Sequence, residues 1–274
     1  MKRYPTTLII AGSDSCGGAG IQADIKTCSA IGVYATTAIT AVTAQNTMGV
    51  IDIQAISPHM VHRQIEAVIE DFTIDCIKIG MLCNAHIANA VADALSRIEI
   101  PIVLDPVMVS TSGHKLLSDD AIEVVVERLF PMASLITPNT HEASLITGIA
   151  TNSLDDMLHN AHLLLQKGCK AVLMKGGHID STTATDILVT NEHHIEQFSS
   201  ERINTRNTHG TGCTLASAIA AYMALGFPLS HAIKEAKNYL TGAIAHSVDV
   251  QVGHGHGALN HAFAPQPLQT LYNK

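Results

Sequence analysis

Short apolar runs alternate with longer amphipathic stretches along the whole chain. Thr7–Ala11 is a short apolar run ending at Gly12, and apolar spacing predicts a helix over Ala19–Ile31, closed by Gly32. Ala35–Ala44 is β-branched and rich in small residues, which predicts a strand. Pro58–Phe72 places Met60, Val61, Ile65, Val68, Ile69 and Phe72 at helical spacing. Asp75–Ile79 then reads as a strand and Asn84–Ile98 as a helix. Ile102–Leu104 is a strand bounded by Pro101 and Pro106, Ser118–Leu129 a helix opened by a serine cap, and Ser134–Thr137 a strand halted by Pro138. Leu154–Gln166 predicts a helix closed by Gly168, and Ala171–Met174 a strand. Thr185–Thr190 and His194–Ser199 form a hairpin pattern around Asn191, Glu192 and His193. Helices over Gly212–Leu225, stopped by Gly226 and Pro228, and over Leu229–Val248 end the regular pattern. Gly253-His254-Gly255-His256-Gly257 opens a loose tail, 252–274.

Strands alternating with helices predict an α/β fold: a mostly parallel sheet covered on both faces, a three-layer α/β/α sandwich. The late hairpin predicts an antiparallel addition at one edge. No repeat or linker interrupts the chain, so 1–274 reads as one domain. Its 274 residues, 47% hydrophobic and 15% charged, are globular in composition. A net charge of -8, no basic stripe and no tryptophan argue against a nucleic-acid partner. An acidic chain still binds nucleotides when backbone N–H groups and Mg²⁺ carry the charge. No two of the six cysteines form a C-x-x-C pair, which removes the spacing of redox and zinc-ribbon motifs. Leu8–Ala11 is too short for a signal segment, and no stretch approaches the ~20 apolar residues of a membrane span. The expectation is a cytoplasmic protein without membrane contact.

In an open α/β sheet ligands bind outside the carboxyl ends of the strands. That rule selects Gly12-Ser13-Asp14, Gln45-Asn46, Gly80-Met81, Asp105-Pro106, Thr137-Pro138-Asn139 and Lys175-Gly176-Gly177. Gly18-Ala19-Gly20-Ile21-Gln22-Ala23 fits a dinucleotide fingerprint, but no acid follows between Asp24 and Asp52 to hold a ribose. Those glycines read instead as a tight turn that lets a ligand approach the backbone. Walker A, G-x-S-x-G and H-E-x-x-H motifs are missing, and the sixteen histidines supply no closed metal-ligand set. The strongest local signal is Asn207-Thr208-His209-Gly210-Thr211-Gly212-Cys213-Thr214, directly before a helix. Glycines there let consecutive N–H groups converge, and the helix start adds roughly half a positive charge. The result is an anion hole built of backbone. Cys213 in the first turn is a thiol whose pKa can fall below its free value, or a small buried hydrophobe.

The same segments carry a resemblance. Ala11-Gly12-Ser13-Asp14, Gly17 to Asp24, Thr43-Ala44-Gln45-Asn46-Thr47 and Lys78-Ile79-Gly80-Met81-Leu82 are followed in order by Leu104 to Met108, Thr137 to Ala143, Lys175-Gly176-Gly177-His178 and Asn207 to Cys213. Over nearly its whole length the chain resembles the hydroxymethylpyrimidine/phosphomethylpyrimidine kinases of the ribokinase-like superfamily. The resemblance implies ATP and Mg²⁺ as cofactors, with a monovalent cation left open, and a homodimer. It also implies two successive phosphorylations in thiamine biosynthesis. Gly12, Asp24, Gln45 and Met81 would line the heterocycle site, Met81 as an apolar wall or as ordinary core. Asn139, Lys175, Thr208, His209 and Lys237 would serve the nucleotide, Lys237 unless it is a solvated helix lysine. Glu142 would hold Mg²⁺, and Asp105 would join both sets. Cys213 would be the base, with the N–H groups of Gly210, Thr211 and Gly212 on the transferring phosphoryl. A pyridoxal or pyridoxine kinase is the alternative within the fold, and a nucleotide-binding module without catalysis lies outside it. A cysteine hydrolase using Cys213 is a third class, lacking an evident carboxylate to order His209.

Overall fold

The computed structural model describes residues 2–109, 116–177 and 182–272, so His178 of the Lys175–His178 motif lies outside the described residues. Its strands are β1 (Lys2–Arg3), β2 (Thr6–Asp14), β3 (Tyr34–Asn46), β4 (Gly49–Ala55), β5 (Cys76–Ile79), β6 (Ile102–Leu104), β7 (Leu135–Ile136), β8 (Ala171–Met174), β9 (Thr183–Thr190), β10 (Ile195–Glu201) and β11 (Leu271–Tyr272). Its helices are α1 (Gly20–Ile31), α2 (Pro58–Asp71), α3 (Ala85–Leu95), α4 (Asp119–Val124), α5 (Thr140–Thr147), α6 (Leu154–Leu165), α7 (Thr211–Ala224) and α8 (Leu229–Ala245).

Nine strands form one sheet in the order β10-β9-β8-β7-β6-β5-β2-β3-β4. From β8 through β3 every pairing is parallel, and antiparallel pairs close both edges. The alternation along each strand explains the layers, because successive side chains point to opposite faces. Leu8 and Ile10 of β2 pack into one core with Val61, Ile65, Ile87 and Met157 of α2, α3 and α6. Ile9 and Ala11 pack into the other with residues of α1, α7 and α8. Fully burying each such Leu or Ile stabilises by about 1.5–3 kcal/mol. The expected three-layer α/β sandwich and the antiparallel hairpin edge are therefore found.

Four local features differ from the pattern reading. β4, the far edge, has an alternating half-exposed face and starts at Gly49 beside Asp52, so its sequence looks like a turn. The short helix α5 follows Pro138 directly and is held by a capping box between Asn139 and Glu142 rather than by propensity. The helix expected over Ser118–Leu129 stops at Val124 and continues as a π turn and a 3₁₀ turn, where Pro131 removes a donor. The Ser118 hydroxyl makes no cap bond. The tail is irregular but not loose. Leu259 and His261 are buried, the Tyr239 hydroxyl donates to the His261 carbonyl at 2.7 Å, and β11 pairs with β1.

Candidate active site

The carboxyl ends of β2, β5, β6, β7 and β8 share one rim, over which α7 begins. A cavity of about 660 Å³ opens there, lined by Gly12, Gln45, Met81, Asp105, Asn139, Glu142, Lys175 and Lys237 together with Thr208–Cys213. Asp24 is the expected residue that the structure does not bring to it.

Lys78 of β5 takes the Asp24 carboxylate. Its ammonium donates to Asp24 Oδ2 at 2.7 Å and the Ser217 hydroxyl donates to Oδ1 at 2.6 Å, with both charged side chains 0% exposed. Burial opposes the ammonium most strongly, but Asp24, Cys213 and Asp105 together outweigh it and hold Lys78 above the usual lysine range. With both oxygens engaged behind the wall, Asp24 anchors Lys78, and it is Lys78 that lines the cavity.

At one end, the loop after β2 closes on its own acid. Asp14 Oδ1 accepts the Cys16 N–H at 2.8 Å, and Oδ2 accepts those of Gly18 and Ala19 at 3.0 and 2.8 Å. The nest of N–H groups formed at the dinucleotide-like glycines is filled by a side chain of the same loop. His209, expected beside the nucleotide, sits here instead. Its Nε2 lies 2.9 Å from Asp14 Oδ2 and 3.1 Å from Gln45 Nε2. Asp14 is thus the ordering carboxylate that sequence reading did not find for His209. Burial alone would raise the Asp14 carboxyl, and the His209 and backbone hydrogen bonds bring it below its ordinary value. Met81 packs over Gly12, where an added Cβ would meet its sulfur at 3.1 Å.

The next group is ionic. Lys175 donates to Asp105 Oδ1 at 2.7 Å, and the Thr137 hydroxyl donates to the same oxygen at 3.0 Å. A Cβ on Gly212 would stand 3.3 Å from Lys175 Nζ and 3.6 Å from Asp105 Oδ2, so the α7 start reaches this pair. Glu142 Oε2 accepts the Asn139 N–H at 2.8 Å and Asn139 Oδ1 accepts the Glu142 N–H at 2.8 Å. Burial, reinforced by Asp105 against the opposing Lys175, pushes the Glu142 carboxyl up to about 7. Lys237 is not a solvated lysine. It is buried and donates to Asp186 Oδ2 at 2.6 Å, while Asp186 Oδ1 accepts the Gly176 N–H at 3.0 Å. Ile203, Leu240 and Ile244 give this end an apolar lining, a grouping across distant segments that no local motif announces.

Cys213 lies at the start of α7. Gly210 is the N-cap with φ +85°, a conformation that favours glycine, and a Cβ there would stand 1.8 Å from the Gly18 carbonyl oxygen. Thr211 turns its N–H back to the Thr208 carbonyl at 3.3 Å. The N–H groups of Gly212 and Cys213, first-turn donors without an intrahelical partner, remain for an anion. The expected low thiol pKa is not found. Burial pushes Cys213 up to about 11, against Lys78 and a hydrogen bond from the Gly20 N–H, which favour the thiolate.

The arrangement can hold a polar heterocycle near Gln45 and a polyphosphate near Lys175, with a thiol among them. Comparison with known proteins agrees. The family model for phosphomethylpyrimidine kinase matches residues 14–260. A hydroxymethylpyrimidine/phosphomethylpyrimidine kinase of Rhizobium meliloti is 46% identical over 255 residues, 93% of this chain and 96% of that protein. The crystal structure of phosphomethylpyrimidine kinase from Clostridium difficile is 45% identical with a TM-score of 0.78, covering 87% of this chain and 99% of that one. An ADP complex of Bacillus subtilis pyridoxal kinase is 33% identical with a TM-score of 0.85, covering 94% of this chain and 97% of that one. By its motifs, its fold and the match along nearly all of its length, this chain belongs to the phosphomethylpyrimidine kinase family.

Proposed function

We propose that the chain transfers the γ-phosphoryl group of ATP to the hydroxymethyl group of hydroxymethylpyrimidine, and then a second phosphoryl group to the monophosphate, for thiamine biosynthesis. The observation that carries this is one cavity holding Gln45 and Met81, Lys175 and Gly212, and Lys237, with Cys213 on the same wall. The pyrimidine edge hydrogen-bonds to Gln45, whose amide offers both donors and an acceptor. Lys175 and the N–H groups of Gly212 and Cys213 meet the transferring phosphoryl, where charge stabilisation does most of the work. Lys237 and the apolar end take the nucleotide.

The residues fit Mg²⁺. Glu142 is a buried carboxyl pushed up to about 7, which a divalent cation would return to its ionised form, with Asp105 and Asn139 alongside. Bound there with the nucleotide, Mg²⁺ would neutralise phosphate charge. The hydroxyl proton passes to the Cys213 sulfur in its thiolate form, a minority at neutral pH given a thiol near 11. The hydroxyl oxygen bonds to the γ-phosphorus as the bond to the ADP oxygen breaks.

A pyridoxal kinase is the second reading, favoured by the TM-score of 0.85 to the Bacillus subtilis enzyme against 0.78 to the Clostridium difficile one. The exposed apolar side chains Val42 of β3, Met48 of the turn that follows it and Ile51 of β4 support a homodimer, and the cysteine pattern supports a cytoplasmic location.

An ADP-release assay with Mg-ATP tests the reading. Turnover with hydroxymethylpyrimidine and its monophosphate is expected, and turnover with pyridoxal alone would give the second reading. Cys213→Ala is expected to lower kcat by about 10²–10⁴-fold and to flatten the rise of rate with pH above neutrality. Unchanged kcat in that variant would remove Cys213 as base.

A further inference from the structure

Asp14 and His209 of the heterocycle end form, with Cys16 next to that end of the cavity lining, a second set of potential ligands, apart from Asp105, Asn139 and Glu142. A carboxylate oxygen of Asp14, the sulfur of Cys16 and a ring nitrogen of His209 all lie within 4.8 Å of one another. Asp14 and His209 are buried, and Cys16 is half-buried on the turn that follows. Metal–ligand bonds of ~2.0–2.3 Å set the ligand atoms of a tetrahedral ion roughly 3.3–3.8 Å apart, so the Asp14–His209 pair, now at 2.9 Å, opens slightly and any pair near the 4.8 Å limit closes on binding. The set is also held in place. Asp14 is fixed by the N–H groups of Cys16, Gly18 and Ala19, and the His209 N–H donates to the Gly257 carbonyl at 3.1 Å.

The hydrogen bonds around His209 are unresolved among themselves. Its Nε2 faces a carboxylate oxygen at 2.9 Å, which calls for N–H, and an amide nitrogen of Gln45 at 3.1 Å, which calls for a lone pair. Rotating the Gln45 amide satisfies the N–H form. A cation between Nε2 and Asp14 uses the lone-pair form.

We propose that Asp14, Cys16 and His209 form a site for a borderline-soft divalent cation of the zinc class, its open position facing the heterocycle end of the cavity, and that filling it stops turnover. Thiolate and imidazole favour such a cation over Mg²⁺, which takes oxygen ligands, so the Mg²⁺ accompanying ATP does not compete. On binding, the Cys16 thiol releases its proton to solvent and the ring hydrogen of His209 moves to Nδ1. Burial, and then the nearby Asp14 carboxylate, hinder that ionisation in the free protein, and a cation reverses the local balance. The ion then occupies the space beside Gln45, so inhibition competes with the heterocycle and not with ATP. The metal site rests on its own geometry and only the inhibitory role rests on the kinase reading.

Co²⁺ binding to the full chain is expected to give a sulfur-to-cobalt charge-transfer band. Co²⁺ held by exposed histidines such as His254 and His256 would not produce that band. Cys16→Ser is expected to keep basal turnover, lose the band and require at least ~tenfold more Zn²⁺ for inhibition. Crystals of the unaltered chain soaked in Zn²⁺ are expected to show an anomalous peak between the three side chains, a result independent of how the variant folds. No band in the unaltered chain, a band retained by Cys16→Ser, or a peak at Cys213 instead would overturn the site. Zinc at the site with turnover intact would overturn the inhibitory role. The band and the peak need no substrate, so failure of the kinase reading leaves them standing.

Discussion

Lys78 and Asp24 show how a residue's chemistry depends on its side of the wall. Both are fully buried, and their 2.7 Å contact offsets a desolvation cost of several kcal/mol per ion. Lys78→Met is expected to lose about 3–5 kcal/mol by chemical denaturation, because the buried Asp24 carboxyl is then left without its ionic partner. Adding Asp24→Leu to that variant should restore most of the loss, an outcome that a substrate-binding Asp24 does not predict. Glu142 gives a second residue-scale outcome. Its carboxyl is pushed up from the free value to about 7, so the folded state binds the proton more tightly than the unfolded chain. Its contribution to stability is therefore present at low pH and is lost as pH rises through about 7. Glu142→Gln should flatten that slope in Tm measured without nucleotide, by on the order of 3 kcal/mol at the alkaline end. Position on the rim was legible for Gly12, Gln45, Asp105, Asn139 and Lys175, because strand ends show in the sequence. The partner of Asp24 was not, since Lys78 lies 54 residues away on another element.

At the scale of elements, two glycine loops interlock. Gly210 lies so near the Gly18 carbonyl that a methyl group would stand 1.8 Å from its oxygen. Gly210→Ala is expected to displace the α7 start and abolish most turnover. Gly148→Ala is the control. It has a similar φ of +75° but nothing within 4 Å of the added carbon. That variant should cost ~1 kcal/mol and leave kcat unchanged. Parallel strands such as Ile102–Leu104 and Ala171–Met174 were legible because burial on both faces makes them continuous apolar runs. Gly49–Ala55 was not, since an edge strand facing solvent keeps polar residues. The Asn139–Glu142 spacing was read as ligand chemistry, and it is also the capping box that begins α5.

At the scale of the molecule, the C-terminal stretch ties together two distant segments that meet at the heterocycle end of the cavity. His254 and Gly255 donate their N–H groups to the Thr47 hydroxyl, each at 3.1 Å, and His256 donates to the Thr47 carbonyl at 2.9 Å. Asn207 donates to the Val250 carbonyl at 2.7 Å and also to that of Ser247. These bonds brace the turn after Gln45 and the loop that carries His209. Ending the chain at Val252 is expected to lower Tm and to raise KM for the heterocycle more than for ATP, measured by steady-state kinetics. Equal effects on both substrates would mean that the stretch contributes stability alone. Composition and glycine content made this segment look loose, because its order comes from backbone bonds to residues some 200 positions away.

The Asp14 carboxylate inside the first loop makes that loop an anion site with a tethered anion. An external phosphate would have to order such a loop on arrival, and the loss of conformational freedom would weaken its binding. Here the ordering is completed during folding, before any small molecule enters. The wall beside Gln45 and His209 is therefore preorganised, and the entropy of fixing it is charged to protein stability instead of to affinity.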